Sequence, residues 1–468
     1  MLERIFHLQE KKSNIRNEIL GGVTTFMTMA YILAVNPQIL GDAGMDRNAV
    51  FTATILSSVI AMICMALLAN LPVALAPGMG LNAFFAYTVV TGMGYSWETA
   101  LTAVFIEGIL FVIMSLFNIR EAIINSIPLN LKYAISVGIG LFIAFIGLKN
   151  AGIIVGDPST LLKIGDTADP GVLLALAGII ITGVLLIFRL RGALIAGMVV
   201  VTLAGIPLGI TRLPEGSIVT APPSIHSTFM VFDFSSFLHP DMIAVVFTFL
   251  FVDVFDTVGT LVGVCSRANL LNEKGEVPRA KQALLSDALG TVAGAMLGTS
   301  TVTSYIESAS GISAGGRTGL TTLVVALLFL LALFFYPLFN MIPAIATAPV
   351  LVIVGLFMIS PIQNIDLDDY SEAIPVFLTV IIMPLALSIS EGILVGMISY
   401  VFLKVLTGKR KQVSVVMYIL CAIFMLKFLL HYTLTSTHLR QLKSSSFSFG
   451  LMVSDSRNII LYLFRRFT

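Results

Sequence analysis

Apolar stretches of about 18 to 22 residues recur from Gly21 to Leu406, and short turns between them carry Gly, Pro, Asn, Asp and nearly all the charges. A run of that length, wound as an α-helix, matches the hydrocarbon thickness of a bilayer, so each reads as a membrane span. About fourteen are expected, near 21–38, 50–69, 71–90, 99–118, 132–149, 171–188, 193–211, 242–263, 281–298, 300–314, 318–339, 341–358, 373–390 and 391–407. The predicted fold class is an all-α polytopic membrane protein.

The longest polar connection, about 213–241, contains PEGSIVTAPPSIHSTF and divides the spans seven and seven. Each half opens with a polar-interrupted span, then an arginine-bearing loop (Arg47, Arg279), a Gly/Ala-rich span and a span broken by small residues. The two third spans read NLPVALAPGMGLNAFFAY and GTSTVTSYIESASGISAGG. Because each half has an odd number of spans, the repeat is inverted in the membrane, and paired broken spans in matching places point to a transporter's midplane site. The expected organisation is a cytoplasmic N-terminus at 1–20, a first repeat at 21–211, an extracytoplasmic connection at 212–241, a second repeat at 242–407 and a tail at 408–468. Lys and Arg in the short loops put the N-terminus inside, with Arg120, Lys132, Arg189, Arg191, Arg267, Lys274 and Arg317 on the same side. The Ser-rich tail carries no functional assignment.

Composition narrows the function classes. The chain is 57% hydrophobic and only 11% charged, against roughly 25% charged in a soluble domain. A net charge of +1 gives no basic surface for nucleic acid, so the bilayer is the large partner expected. Cys64, Cys265 and Cys421 are far apart and no metal-ligand spacing occurs. The first twenty residues have basic side chains but no continuous apolar core, so they read as a cytoplasmic lead-in rather than a cleaved signal. The expected location is the plasma (inner) membrane.

A charged side chain at the bilayer centre costs at least about 2.5 to 3.5 kcal/mol on insertion scales, so acids deep in a span require a reason. The eighth span, DMIAVVFTFLFVDVFDTVGTLVGV, carries Asp253 and Asp256 three residues apart on one helix face, with Thr260 a turn beyond. The tenth places Glu307 between Ser304 and Ser308. Glu107 and Glu391 stand alone in the sequence and receive no role, and Asp287 reads as a carboxylate paired with nearby Arg279 or Lys281. No Lys or Arg lies within a turn of Asp256 or Glu307. Such carboxylates can take up and release a proton. Since all five histidines fall in termini or loops, a coupling proton is expected to use the acids, with no other cofactor.

The broken spans supply complementary chemistry. Interrupted helices turn free backbone N–H and C=O groups toward a cavity; Gly80 permits close approach and Asn82 offers an amide. A small heterocycle with adjacent donors and acceptors suits two carboxylates, one amide and exposed backbone. Phe84, Phe85 and Tyr87 are candidates to stack on such a ring, although span aromatics more often serve packing.

Four stretches resemble the nucleobase–ascorbate transporters, and more closely their AzgA-like hypoxanthine/adenine/guanine permease branch: TTFMTMAYILAVNPQIL at 24–40, ALAPGMGLNAFFAYTVV at 74–90, VDVFDTVGTLVGV at 252–264 and GTSTVTSYIESASGISAGGRTGL at 298–320. The resemblance covers roughly residues 15 to 410 and implies a core domain from spans 1–4 and 8–11, a gate domain from spans 5–7 and 12–14, and often a homodimer. It places purine recognition on Asp253 and Asp256, on Glu307, and on Gly80 and Asn82, with Asp256 and Glu307 coupling the proton. Where uracil-type relatives have Glu and His four residues apart in span 8, this chain has Asp256 and Thr260.

Two other readings fit the class less well. An anion transporter of the same architecture would set three acids against its own substrate. An intramembrane aspartyl hydrolase also uses paired carboxylates, but neither Tyr-Asp nor Gly-x-Gly-Asp surrounds Asp253, Asp256 or Glu307.

Overall fold

The computed structural model describes residues 2–117, 128–214, 216–236, 239–267, 270–271, 277–419, 421–422 and 425. Loop residues Arg120 and Lys274 and most of the predicted tail lie outside the described residues.

The chain is a polytopic helical protein of fourteen membrane segments in two seven-span halves. In the first half, span 1 is Ile15–Asp42, span 2 Arg47–Ala69, span 4 Trp97–Phe117, span 5 Leu129–Asn150, span 6 Pro170–Ile187 and span 7 Ala193–Ala204. In the second, span 8 is Asp241–Ser266, span 11 Gly319–Asn340, span 12 Ala344–Asn364 and span 14 Ile389–Leu406, with span 9 Ala280–Leu297 and span 13 Tyr370–Leu385. Spans 3 and 10 are not continuous helices. Span 3 runs through a strand, β1 (Leu75–Pro77), a single turn of helix Met79–Ala83 and a wider-wound helix Phe84–Gly92. The sequence places Pro77 and Gly78 at this break, where proline lacks an N–H and glycine lowers helix propensity.

Several boundaries follow from capping. Asp46 accepts from the Asn48 amide (3.0 Å) and Asp369 from Ser371 (2.9 Å), while Asp169, followed by Pro170, accepts from Gly171 (2.6 Å). A hairpin outside the spans also departs from the all-helical expectation. Between spans 5 and 6, β2 (Ile154–Asp157) and β3 (Leu161–Ile164) pair antiparallel with Ile154 opposite Ile164. Asp157 closes their turn on Ser159 and Lys163, and these bonds, that of the Ser159 hydroxyl first, hold its carboxyl well below the usual range.

Packing sorts the spans into two groups. Spans 2, 4 and 9 pack together, span 1 lies on span 11, and span 8 on span 4; spans 5, 12, 13 and 14 form the other group with spans 6 and 7. Glycines set the closest approaches: a Cβ on Gly140 of span 5 would strike the Gly355 carbonyl of span 12, and one on Gly108 would strike Val292 of span 9. Close backbone contact through small residues is how helices associate in lipid, where apolar burial alone gives little drive.

The start of span 1 is tied to span 11. Glu18 is fully buried. Its carboxylate accepts from the amides of Arg317 (3.1 Å), Thr318 (3.2 Å) and Thr321 (3.1 Å), and from the Thr321 hydroxyl (2.5 Å). A negative group there satisfies N–H donors that the helix leaves open and complements its positive end. Asn70, in left-handed backbone at φ 51, accepts from the Gly319 amide (2.8 Å) and donates to the Phe6 carbonyl (3.0 Å).

Candidate functional site

The interruptions in spans 3 and 10 meet. Strand β4 (Val302–Ser304) pairs antiparallel with β1, with Leu75 opposite Ser304, Ala76 opposite Thr303 and Pro77 opposite Val302. The pairing extends at both ends: Gly78 N–H donates to the Thr301 carbonyl (2.9 Å) and Tyr305 N–H to the Ala74 carbonyl (2.9 Å). Each strand thus satisfies the other's backbone within the membrane, the condition for non-helical chain at that depth. The run Thr299–Thr303, β-branched at every position except Ser300, and the following turn with Ser304 and Ser308 suit an extended segment better than a helix.

Beside this crossing lies a cavity of about 630 Å³. One wall is built by Tyr31 of span 1, Gly78, Met79 and Gly80 of span 3, Asp256 and Thr260 of span 8, and Thr303 to Glu307 of span 10. The other comes from spans 5 and 12, including Lys132, Ile139 and Phe357, and it reaches Leu129 and Asn364 at their ends. The cavity therefore lies between the two packing groups, and it is large enough for a drug-sized or smaller ligand.

Among the described residues, Asp256 and Glu307 are its two carboxyl groups. Tyr31 donates its hydroxyl to Glu307 Oε1 at 2.7 Å, and Thr303 donates to Asp256 Oδ2 at 3.2 Å. The carboxyls act on one another electrostatically, so the wall presents paired acceptors beside the Gly78–Gly80 backbone. Gly80 has no room for a side chain on this face, because a Cβ would strike Ile139 of span 5.

The other sequence candidates are placed differently. Asp253 is fully buried and does not line the cavity; Thr257 Oγ1 lies 3.5 Å from its Oδ1. Three residues fall about 60° short of a full helical turn, and β4 lies against that edge of span 8, so Asp253 turns behind the strand while Asp256 faces the cavity. Asn82 is also fully buried outside the lining, accepting a short hydrogen bond from the Ser300 hydroxyl. Ser308 Oγ accepts from the Ala74 amide at 3.0 Å, and the Ser304 hydroxyl donates to Asp287 Oδ1 at 3.5 Å. Phe85 is buried, Phe84 stacks edge-on against Phe249 at 4.8 Å, and Tyr87 bonds Asp42 (2.9 Å) away from the cavity.

Two expectations change. Asp287, read as a partner of Arg279 or Lys281, is buried and accepts from Thr257 (2.9 Å), while Lys281 donates to the Leu116 carbonyl (2.9 Å). Glu107, read as isolated, lies beside Asp253. The aromatic cavity groups Tyr31, Tyr133, Phe255, Tyr305 and Phe357 were not singled out in the sequence, although Tyr31 and Tyr305 sit inside the motifs MAYIL and SYIES.

Comparison with known proteins gives the same picture. Residues 16–395 match the family described as the permease family. The adenine permease AdeP of Escherichia coli is 46% identical over 427 residues, covering 91% of this chain and 96% of AdeP. The guanine/hypoxanthine permease PbuG of Bacillus subtilis is 46% identical over 443 residues, covering 92% of this chain and 99% of PbuG. Among solved structures, the transmembrane domain of a cyanobacterium bicarbonate transporter, BicA, superposes with a TM-score of 0.58 at 19% identity, over 83% of this chain and 97% of that one; at that identity the likeness is one of fold. With span motifs, broken-span geometry and whole-length similarity in agreement, the chain belongs to the permease family of nucleobase–ascorbate transporters, and it is a transporter rather than an enzyme.

Proposed function

We propose that this protein imports purine nucleobases across the plasma membrane, drawing on the proton gradient. The observation that carries the reading is the cavity itself: Asp256 and Glu307 stand beside the Gly78–Gly80 backbone where the two broken spans cross. A purine ring presents N–H donors to carboxylate acceptors and ring nitrogens or carbonyls to backbone N–H groups, and its faces suit Tyr31, Phe255 and Tyr305. The relatives named for adenine and for guanine and hypoxanthine support the class. Members of that class differ in exocyclic groups, so the preferred base is for the uptake assay to assign.

Protonation of a cavity carboxylate would let substrate bind from outside, after which the loaded core would move against the gate. With the N-terminus in the cytoplasm, Leu129 and Asn364 lie at cytoplasmic ends of their spans, which makes this an inward-facing arrangement. Asp253 and Asn82 would then act from behind the wall, as supports for the two broken spans. Assembly as a homodimer in the lipid bilayer is the arrangement the family resemblance implies.

The test is uptake of radiolabelled adenine, guanine, hypoxanthine and uracil by purine-transport-deficient cells expressing the full chain, with and without a protonophore. Protonophore-sensitive uptake of a purine supports the reading. No uptake of any base by correctly inserted protein overturns it, and would direct the search to small anions.

A further inference from the structure

The two walls of the cavity are hydrogen-bonded to each other at the ends of the spans that the cavity does not reach. Leu129 and Asn364, which border the cavity, begin span 5 and end span 12. The bonds lie at the opposite ends of the same two helices. Gln38, near the end of span 1, donates its amide to the Ile342 carbonyl (2.7 Å), just before span 12, and accepts from the Thr347 hydroxyl of span 12 (2.7 Å). Asn150, the last residue of span 5, donates to the Tyr87 hydroxyl of span 3 (3.0 Å). Beside it, Thr88 donates to the Leu387 carbonyl between spans 13 and 14 (3.1 Å). Spans 1 and 3 are thus tied to spans 5, 12 and 13–14 at one end and part around the cavity toward the other.

The members of these bonds keep partners on their own side when the walls separate. The Thr347 hydroxyl also lies 2.9 Å from the Ala344 carbonyl of its own helix. Tyr87 donates to Asp42 Oδ2 (2.9 Å), and Arg47 holds the other Asp42 oxygen (3.1 Å). Gln38 and Asn150 are only half-buried and close to helix ends, where water can take the place of a lost partner. Breaking such bonds strands no buried polar group, so the large penalty for an unsatisfied donor or acceptor does not arise. The contacts therefore have two permitted arrangements, closed and parted, which is the property of an element that switches.

We propose that the pairs Gln38–Thr347 and Tyr87–Asn150 form an outer clasp, which closes the extracellular route to the cavity and must part before substrate enters from that side. The proposal rests on the inward-facing reading above and deepens it, by naming residues that set access rather than recognition. Parting the clasp breaks hydrogen bonds only. Spans 5 and 12 then separate from spans 1 and 3 at their outer ends, while Asp42 keeps Tyr87 in place. Tyr87 gains a role that neither packing nor ring stacking requires, because its hydroxyl is where the two walls meet.

The experiment follows the reactivity of one thiol placed in the cavity. Ile139→Cys is introduced into the full chain with Cys64, Cys265 and Cys421 replaced by alanine. A membrane-impermeant maleimide is applied without substrate, from outside to intact cells and from inside to inverted vesicles. In this parent, labelling is expected to be faster from inside. Thr347→Val with Asn150→Leu keeps side-chain size and removes a side-chain bond from each pair. Labelling from outside should rise at least about fivefold while labelling from inside stays level or falls, since a population shift takes from one state what it gives the other. Thr347→Ser, which keeps the hydroxyl, should label at the parent rate. An unchanged outside rate in the double variant overturns the proposal. So does a rise from both sides, which would mean general loosening. If the double variant does not reach the membrane, Thr347→Val alone is read by the same outcomes at a threshold of about twofold. Parent protein that labels faster from outside overturns the inward-facing reading, and the clasp with it. No purine is present in this assay, so failure of the purine assignment shows only as absent uptake, and the two failures are distinguishable.

Discussion

Tyr31 and Glu307 come from opposite halves of the chain and meet at 2.7 Å on the cavity wall. The hydroxyl fixes one carboxylate oxygen and leaves the group free to receive a ligand on the other. Removing it with Tyr31→Phe takes away a hydrogen bond to a charged group, a loss of about 1.5 to 3 kcal/mol. If that loss falls on substrate binding, KM for purine rises on the order of ten- to a hundredfold, with membrane abundance unchanged. Uptake kinetics alongside quantitative immunoblotting checks both.

Glu307→Gln is the sharper substitution, because it retains shape and hydrogen bonding but removes the charge and the proton-accepting oxygen. Purine uptake is expected to fall by more than about tenfold, and the residual uptake should no longer respond to external pH between about 5 and 8. Asp256→Asn, on the same wall, should weaken binding without abolishing the pH response if Glu307 carries the cavity proton. Wild-type rate and pH response in Glu307→Gln would remove that residue from the site.

The span pattern was legible because each apolar run matches the bilayer, and the site's neighbourhood was legible because Pro77, Gly78 and the Thr/Ser-rich stretch before Glu307 cannot read as ordinary helices. Asp256 and Glu307 stood out as acids without nearby cations. What escaped were relations that depend on tertiary packing. The spacing of Asp253 and Asp256 suggests one shared face, yet a strand from span 10 divides them. Glu107 looked isolated because Asp253 reaches it from the other repeat. Tyr31 and Tyr305 carry no pattern that separates a cavity aromatic from a packing one, and Asn82 lies among cavity residues in sequence while its side chain engages Ser300.

A charged lock holds the far end of the second packing group. Lys404 of span 14 is fully buried, with its ammonium 3.0 Å from Glu372 and 3.4 Å from Asp369, while Asn130 of span 5 donates to the other Glu372 oxygen (2.5 Å). Glu372→Ala leaves a buried cation with its more distant carboxylate, so a stability loss of about 3 kcal/mol is expected, read as a lower melting temperature of the purified protein. Acid should weaken the same lock from its exposed side. Hydrogen bonds from Lys409 and then Ser371 hold the Asp369 carboxyl well below the usual range. The folded state thus binds this proton less readily than the unfolded chain. Its contribution is complete above the unfolded value of about 3.9 and declines as the pH falls below it. Melting temperature should therefore show no pH-dependent change from Asp369 between about pH 5 and 8, where its contribution is constant, and a loss below about pH 4 that Asp369→Asn removes.

Gly80 reports on movement between the two packing groups. It lies on the cavity wall of span 3, and a Cβ there would come within 2.6 Å of Ile139 Cγ2 on span 5. Contact that close forces a displacement, and the displaced atoms belong to the opposite group. Gly80→Ala should thus slow the step in which core passes gate. The maximal rate is expected to fall about tenfold while equilibrium binding of purine changes by less than about threefold. Ile139→Ala on the facing helix opens the space that the added methyl needs. The double variant should recover most of the rate, a coupling that appears only if the two residues meet during transport. Equal, additive losses in the two single variants would instead place the effect of Gly80 within span 3, on the fold of the turn that follows β1.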